Sequence, residues 1–312
     1  MATMRAVRMH EYGGLDVLRE ETIPHPAFGG DDVLVRVHAA GVNPLDWKVR
    51  YGDVQMWFNH TLPLIPGWDV SGVVEAVGPA VTTLRPGDEV YGRADINRDG
   101  AYAEYAAARA ADLALKPRTL GHVEAAAVPQ AALAAWLSLF DTASLSAGQT
   151  VLVHGAAGGV GTFAVQLAKW RGARVFGTAS ARNQGFLREL GAEPIDYATT
   201  AFEDVARDVD VVLDAVGGAT LNRSWSVLKP GGVLVSLVEP PSESAAAEHG
   251  VRSAFVAAYP RADILAELAG LIDAGHIRPV VSHTLPLSEA RQAHAMSESL
   301  HVRGKIVLQI VE

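Results

Sequence analysis

Cysteine is absent from the 312-residue sequence. That absence removes disulfides, thiolate metal sites, iron–sulfur clusters and thiol nucleophiles together. No apolar run approaches the length of a membrane span, and no block of like charge occurs. The formal charge is −9, from 26 basic and 35 acidic residues, so the basic face that nucleic acid or an anionic membrane would need is missing too. Met1-Ala2-Thr3-Met4-Arg5 leads into strand-like sequence without a signal-peptide apolar core, and a cytoplasmic location is expected. The eleven histidines stand singly, with no His-Glu-x-x-His and no close pair. A lone His such as His60 or His154 reads as packing or surface.

What is there is ordinary globular material, 49% apolar and 20% charged, long enough for two modest domains or one large one. From Met4 to about Lys116 short β-rich runs, such as Val33–Val37, Val70–Val77 and Asp88–Tyr91, are broken by Gly, Pro and Asp. This pattern predicts a compact, mostly antiparallel β domain. At Val123 the character changes. Glu124–Phe140 is rich in Ala and Leu at helical spacing, and strands then alternate with helices: Arg174–Thr178, Asn183–Leu190, Pro194–Tyr197, Val209–Leu213 and Val233–Leu237. Such alternation predicts a doubly wound parallel sheet. Glu239–Glu248 reads as a surface loop, Arg261–Ala274 and Ser288–Ser297 as helices, and Lys305–Ile310 as a last strand.

The most informative segment is Val151-Leu152-Val153-His154-Gly155-Ala156-Ala157-Gly158-Gly159-Val160-Gly161, followed by Thr162–Ala168. An apolar strand, a glycine-rich turn and an opening helix are what a dinucleotide pyrophosphate needs. Backbone N–H groups face the phosphates, and small residues let the backbone approach them. Ala156 stands where the usual fingerprint has its first glycine.

Several stretches together resemble the medium-chain dehydrogenase/reductase superfamily, in its zinc-independent quinone oxidoreductase (zeta-crystallin-like) branch. They are Ala40-Gly41-Val42-Asn43-Pro44-Leu45-Asp46, Pro66-Gly67-Trp68-Asp69-Val70-Ser71-Gly72, Gly100-Ala101-Tyr102-Ala103-Glu104-Tyr105, the Ala156–Gly161 turn and Arg303-Gly304-Lys305-Ile306-Val307-Leu308. The resemblance implies an α/β chain with a GroES-like β-rich substrate domain (1–122 and 277–312) and a Rossmann doubly wound coenzyme domain (123–276). It places the active site in the cleft and makes a homodimer the default.

No Asp or Glu occurs from Thr162 to Arg188. An NAD site usually sets a carboxylate at the end of its second strand, where it would repel a 2′-phosphate. Thr178-Ala179-Ser180-Ala181-Arg182 offers a hydroxyl and a guanidinium instead, so NADP(H) is expected, with Ser180 and Arg182 on the phosphate. The cofactor set is then Ala156, Ala157, Gly158, Gly159, Val160 and Gly161 of the turn, with Ser180 and Arg182. The resemblance adds Tyr197 near the adenosine, Ala215, Val216, Ser236, Leu237 and Val238 along the cofactor path, and Phe255 and Val256 at the nicotinamide. Plain core packing is the other reading of these last residues.

Zinc alcohol dehydrogenases of the superfamily take ligands from a Cys where this chain has Asn43 and from a His where it has Trp68. An amide replaces thiolate poorly and indole does not coordinate zinc, so no metal is expected. Without a Lewis acid, acceptors that spread their own charge are favoured, namely quinones and α,β-unsaturated carbonyls. Asn43, Lys48 and Tyr51 are the catalytic candidates, Asn43 and Lys48 also as cofactor contacts. Asn43 also reads as an ordinary Asn-Pro turn residue, Lys48 as an exposed lysine, and Asp46 as either a partner of Lys48 or a helix cap. Trp47, Trp57, Phe58 and Trp68 divide between pocket wall and core. Where relatives carry a Thr, Ala132-Leu133-Ala134-Ala135-Trp136 has none. The leading function is an NADPH-dependent reductase of quinones or enones. The alternatives are a zinc-free carbonyl or alcohol oxidoreductase of specialised metabolism and a non-catalytic NADPH-binding sensor.

Overall fold

The computed structural model describes residues 2–311. By contact the chain groups into two units. One holds the residues up to Gln130, Tyr259–Gly275 and the chain from Pro279; the other holds Ala131–Ala258 with His276–Arg278.

The first unit opens with an antiparallel hairpin of β1 (Thr3–Met9) and β2 (Leu18–Pro24). Its sheet is built on β3 (Asp32–Val42), whose eleven residues are long enough to serve several partners. After β3 comes helix α1 (Pro44–Tyr51). Asn43 caps it in a capping box with Asp46, Pro44 sits in the first turn, and Gly52 ends it at φ +86°. β4 (Asp69–Val77) pairs antiparallel with β3 and with β5 (Glu89–Arg93). β6 (Tyr105–Arg109) pairs with the first half of β3, and β7 (Leu113–Leu115) with β5. Met4, Met9, Val35, Val37, Val70, Val90 and Tyr102 fill the core between the hairpin and the sheet.

In the second unit six strands run parallel. They are β8 (Thr150–His154), β9 (Arg174–Ala179), β10 (Glu193–Asp196), β11 (Val209–Asp214), β12 (Leu228–Ser236) and β13 (Arg252–Phe255). Their spatial order, β10-β9-β8-β11-β12-β13, reverses direction at β8. This is the doubly wound arrangement the alternation predicts. Leu152, Phe176, Val212, Leu234 and Trp225 pack against it. Two details differ from the sequence expectation. The alanine-rich stretch after Val123 breaks into helices His122–Ala126 and Pro129–Trp136 and a π-turn at Leu137–Thr142, because proline cannot donate within a helix but suits its first position. Glu239–Glu248 is not all loop. Glu243–Glu248 is helical, and the Ser242 hydroxyl accepts from the Ala245 N–H at 3.2 Å, a cap that lets a short Ala-rich run form.

The chain then returns to the first unit. Helix Ala262–Asp273 is tied there by the Tyr91 hydroxyl, which donates to Leu265 O (2.6 Å), and by the Asp273 carboxylate, which accepts from the Thr119 N–H and hydroxyl. Residues 276–278 stay with the second unit, where the Gln166 amide bonds both the N–H and the C=O of Arg278. β14 (Val281–Pro286) pairs parallel to β15 (Lys305–Gln309), and β15 pairs antiparallel with the second half of β3.

Candidate functional site

Parallel strands deliver all their carboxyl ends to one edge, and in a doubly wound sheet the crevice opens where the strand order reverses. Here that point lies between β8 and β11. The turn after β8 starts at Gly155, held at φ +68°, and closes with the Gly158 N–H on Gly155 O (2.9 Å). Helix Gly159–Trp170 follows, and its Thr162 N–H bonds back to Gly158 O. The earlier N–H groups have no carbonyl behind them, as at any helix start. The glycines differ in kind. A Cβ at Gly161 would sit 2.3 Å from Gly155 O and 2.6 Å from Ala156 Cα, whereas one at Gly158 would meet only Gly155 O, at 3.3 Å. Gly161 is required by packing, and Gly158 leaves open space above the turn. A dinucleotide phosphate fits that cradle.

The other expected cofactor positions collect along the same edge. Half-buried Ser180 and exposed Arg182 follow β9, and Tyr197 follows β10. Ala215 and exposed Val216 follow β11, Leu237 and Val238 follow β12, and Phe255 ends β13 with Val256 next. Ser236 is buried, its hydroxyl 3.3 Å from Asp214. Sequence reading missed Asp214 itself. Its carboxylate takes the N–H groups of Val216 and Gly217 at 3.0–3.1 Å and shapes the turn after β11, although burial raises its pKa. An aspartate ending an apolar strand just before Gly217-Gly218 was the available signal. His154 lies beneath the turn, its ring between the Thr178 and Ser224 hydroxyls at 3.0 Å each. Burial pushes its pKa down to about 4, so it is a neutral packing residue.

Of the first unit's candidates, Asn43 is buried at the start of α1, Lys48 lies half-buried with its ammonium 5.8 Å from the Trp47 ring, and Tyr51 is exposed. The Tyr51 hydroxyl donates to Glu298 at 3.3 Å, and the buried Arg50 guanidinium lies under its ring. Trp68 is core, its indole N–H on Arg98 O, while Trp57 is exposed and Phe58 half-buried.

Around Asn43 lies a buried polar group that the sequence reading only grazed. The Asn43 amide Nδ2 donates to Asp69 at 2.9 Å, and its Oδ1 accepts from the Lys305 ammonium. That ammonium also donates to Val42 O (2.8 Å) and lies 3.6 Å from Asp69. The second Asp69 oxygen accepts the Gln130 N–H at 2.8 Å, at the head of helix Pro129–Trp136. Asp46 accepts the Asn43 N–H (2.8 Å) and the Tyr102 hydroxyl (2.9 Å). Burial pushes Asp46 up to about 7 and raises Asp69, against the pull of Lys305 and the N–H donors; burial likewise lowers Lys305. Asp46 therefore serves as the cap of α1. The signal for Lys305 was a lysine opening an otherwise apolar strand, a place where its stem must be buried.

Among known proteins, residues 29–118 match the family described as alcohol dehydrogenase GroES-like domain, and residues 190–308 match zinc-binding dehydrogenase. The chain is 38% identical over 320 residues to an NADPH-dependent alkenal/one oxidoreductase of Arabidopsis thaliana, covering 98% of this chain and 79% of that protein. It is 32% identical to the quinone oxidoreductase of Mus musculus, covering 97% and 96%. The solved quinone oxidoreductase of Coxiella burnetii superposes with a TM-score of 0.92 at 34% identity, covering 99% of this chain and 100% of that one.

The second family description names zinc, and the residues here do not fit that metal. Asn43 has both ends of its amide engaged by Lys305 and Asp69, Trp68 is bonded through its indole to Arg98, and a buried ammonium already stands beside Asp69. Among the described residues no three His, Cys, Asp or Glu side chains are grouped to hold an ion. No helix among them is long and apolar enough to cross a membrane. With its whole length aligned to such relatives, a GroES-like sheet in one unit and a glycine-cradled parallel sheet in the other, the chain belongs to the medium-chain dehydrogenase/reductase superfamily, in its quinone oxidoreductase branch, and is an oxidoreductase that uses a nicotinamide cofactor.

Proposed function

We propose that the protein is an NADPH-dependent reductase of quinones and α,β-unsaturated carbonyl compounds that works without a metal. The observation that carries the reading is the commitment of Asn43, Trp68 and Asp69 to bonds with Lys305, Arg98 and one another. A side-chain set so engaged offers no Lewis acid to a developing alkoxide, so the acceptor must spread its own charge. The alkenal/one and quinone oxidoreductases to which the chain is similar are named for acceptors of that kind.

Bound NADPH supplies the hydride. The chain's share is to hold the cofactor on the Gly155–Gly161 turn, grip its 2′-phosphate with Ser180 and Arg182, exclude water and offer a donor to the acceptor's oxygen. The phosphate assignment is supported by the lack of any carboxylate from Thr162 to Arg188. A homodimer and a cytoplasmic location complete the reading; β13, an edge strand with one side unpaired among the described residues, supports the pairing of two copies alone.

The test is NADPH oxidation with benzoquinone, a naphthoquinone, an enone and a simple ketone. Turnover of the conjugated acceptors with little of the ketone is expected. Turnover of the ketone alone overturns the reading, and tight NADPH binding without any turnover makes the protein a sensor.

A further inference from the structure

Resting on that reading, we propose that Lys305 and Asp69 act on the reaction through Asn43: gripped at one end by an ammonium and at the other by a carboxylate, its polarised amide offers the remaining N–H to the oxygen on which the acceptor's charge collects. Asn43 is the catalytic residue in this proposal; Lys305 and Asp69 are positioning residues.

The amide can face only one way. Flipping it would set its NH2 against the Lys305 ammonium and its oxygen against Asp69, two repulsions in place of two charge-assisted bonds. With Oδ1 on the cation, one Nδ2 hydrogen goes to Asp69. The second has no protein acceptor among the described residues. The ammonium draws electron density toward Oδ1 and so acidifies the NH2 group, while the Asp69 carboxylate, bonded to the other Nδ2 hydrogen, fixes the direction of the amide. In a buried site, bonds chained in this way polarise one another, and the remaining N–H becomes a stronger donor than that of a free amide. Nothing in the group is loosely held. Asn43 is fixed by its own capping box, Lys305 by Val42 O, and Asp69 by the Gln130 N–H. Removal of any one of these changes the donor, not only the packing.

The chemistry that would use it balances simply. Hydride from NADPH forms a C–H bond at the β-carbon of an enone, and the C=C pair shifts so that the carbonyl π pair comes to rest on oxygen. NADPH leaves as NADP+, and a solvent proton then adds to the α-carbon to give the saturated ketone. The Asn43 N–H bonds the oxyanion and is not transferred. Because a hydrogen bond to an anion strengthens with the basicity of that anion, an enolate gains more from this donor than the far less basic anion of a hydroquinone.

That difference supplies the test. Lys305→Met keeps the buried stem and removes the ammonium. Its kcat with an enone should fall roughly 10- to 100-fold, as for a weakened oxyanion donor, and with benzoquinone by about threefold or less, with KM for NADPH unchanged. Lys305→Gln, which keeps a neutral N–H donor in place of the charge, should show the same ordering; it carries the comparison if Lys305→Met does not fold. Equal losses on enone and quinone, or a loss confined to NADPH binding, overturn the proposal while leaving the proposed function standing. A wild-type chain that turns over neither acceptor removes both.

Discussion

At the scale of single residues the 2′-phosphate is the sharpest question. Arg182 is exposed just beyond β9, two residues after Ser180. A charge-assisted contact of this kind contributes about 1–3 kcal/mol. Arg182→Ala should therefore raise the NADPH Kd roughly 5- to 150-fold and leave that for NADH within about twofold. Titration by fluorescence quenching against both nucleotides checks this, and equal weakening of the two would place the phosphate elsewhere. The residue scale is also where sequence reading was most uneven. Asn43 was singled out on its position alone, whereas Lys305 and Asp69, its partners, lie 262 and 26 residues away. Nothing local marks a lysine at the start of a strand as the mate of an asparagine at the start of a helix. Only the pairing of β15 with β3 brings them together.

At the scale of elements, the strand–turn–helix at 151–170 was legible because its demands are local. A run of Val and Leu builds the strand, glycine supplies φ +68° at Gly155, and absent side chains mark the approach. Less legible was which glycine answers to which demand, since that depends on distances across the turn. Gly161→Ala drives a Cβ to 2.3 Å from Gly155 O, and the clash should cost about 1–3 kcal/mol or more of stability as an overpacked contact. Gly158→Ala, whose backbone is at φ −79° and whose Cβ meets one atom at 3.3 Å, should melt within a degree or two of wild type. It should nevertheless weaken the cofactor, because the methyl fills the space above the turn. Melting curves with and without NADPH separate the two, and a stable Gly161→Ala with full affinity would count against the packing role. Elsewhere the missed helix Glu243–Glu248 shows the limit of composition: a stretch rich in Ser, Ala and Pro reads as loop until one serine is seen capping three alanines.

At the scale of the whole molecule, buried titratable groups in both units set how stability responds to pH. Asp46 is pushed up to about 7 by burial, against the N–H of Asn43 and the hydroxyl of Tyr102, which favour its ionised form. An unfolded chain would ionise this carboxyl near its ordinary value of about 3.9. Between those two values the folded state holds a proton that the unfolded state has lost, so this group's contribution to stability falls as pH rises. His154 and His294 work in the opposite sense. Burial holds them down to about 4 and about 3, so the unfolded chain takes up protons below about 6.5 that the folded chain refuses, and their contribution grows with pH. The two tendencies oppose each other from about pH 4 to 6.5, where two histidines act against one carboxyl, so the net contribution of these three groups should still rise with pH. Asp46→Asn keeps an oxygen that can accept from both the Asn43 N–H and Tyr102 and abolishes the titration. Relative to wild type it should gain stability steadily from pH 4 to 7, by up to roughly 4 kcal/mol over three pH units at about 1.36 kcal/mol per unit. Urea unfolding at pH 5, 6 and 7 measures the difference directly. Parallel curves for the two proteins would mean that Asp46 is ionised throughout and that Lys305 and its neighbours neutralise it more completely than burial penalises it.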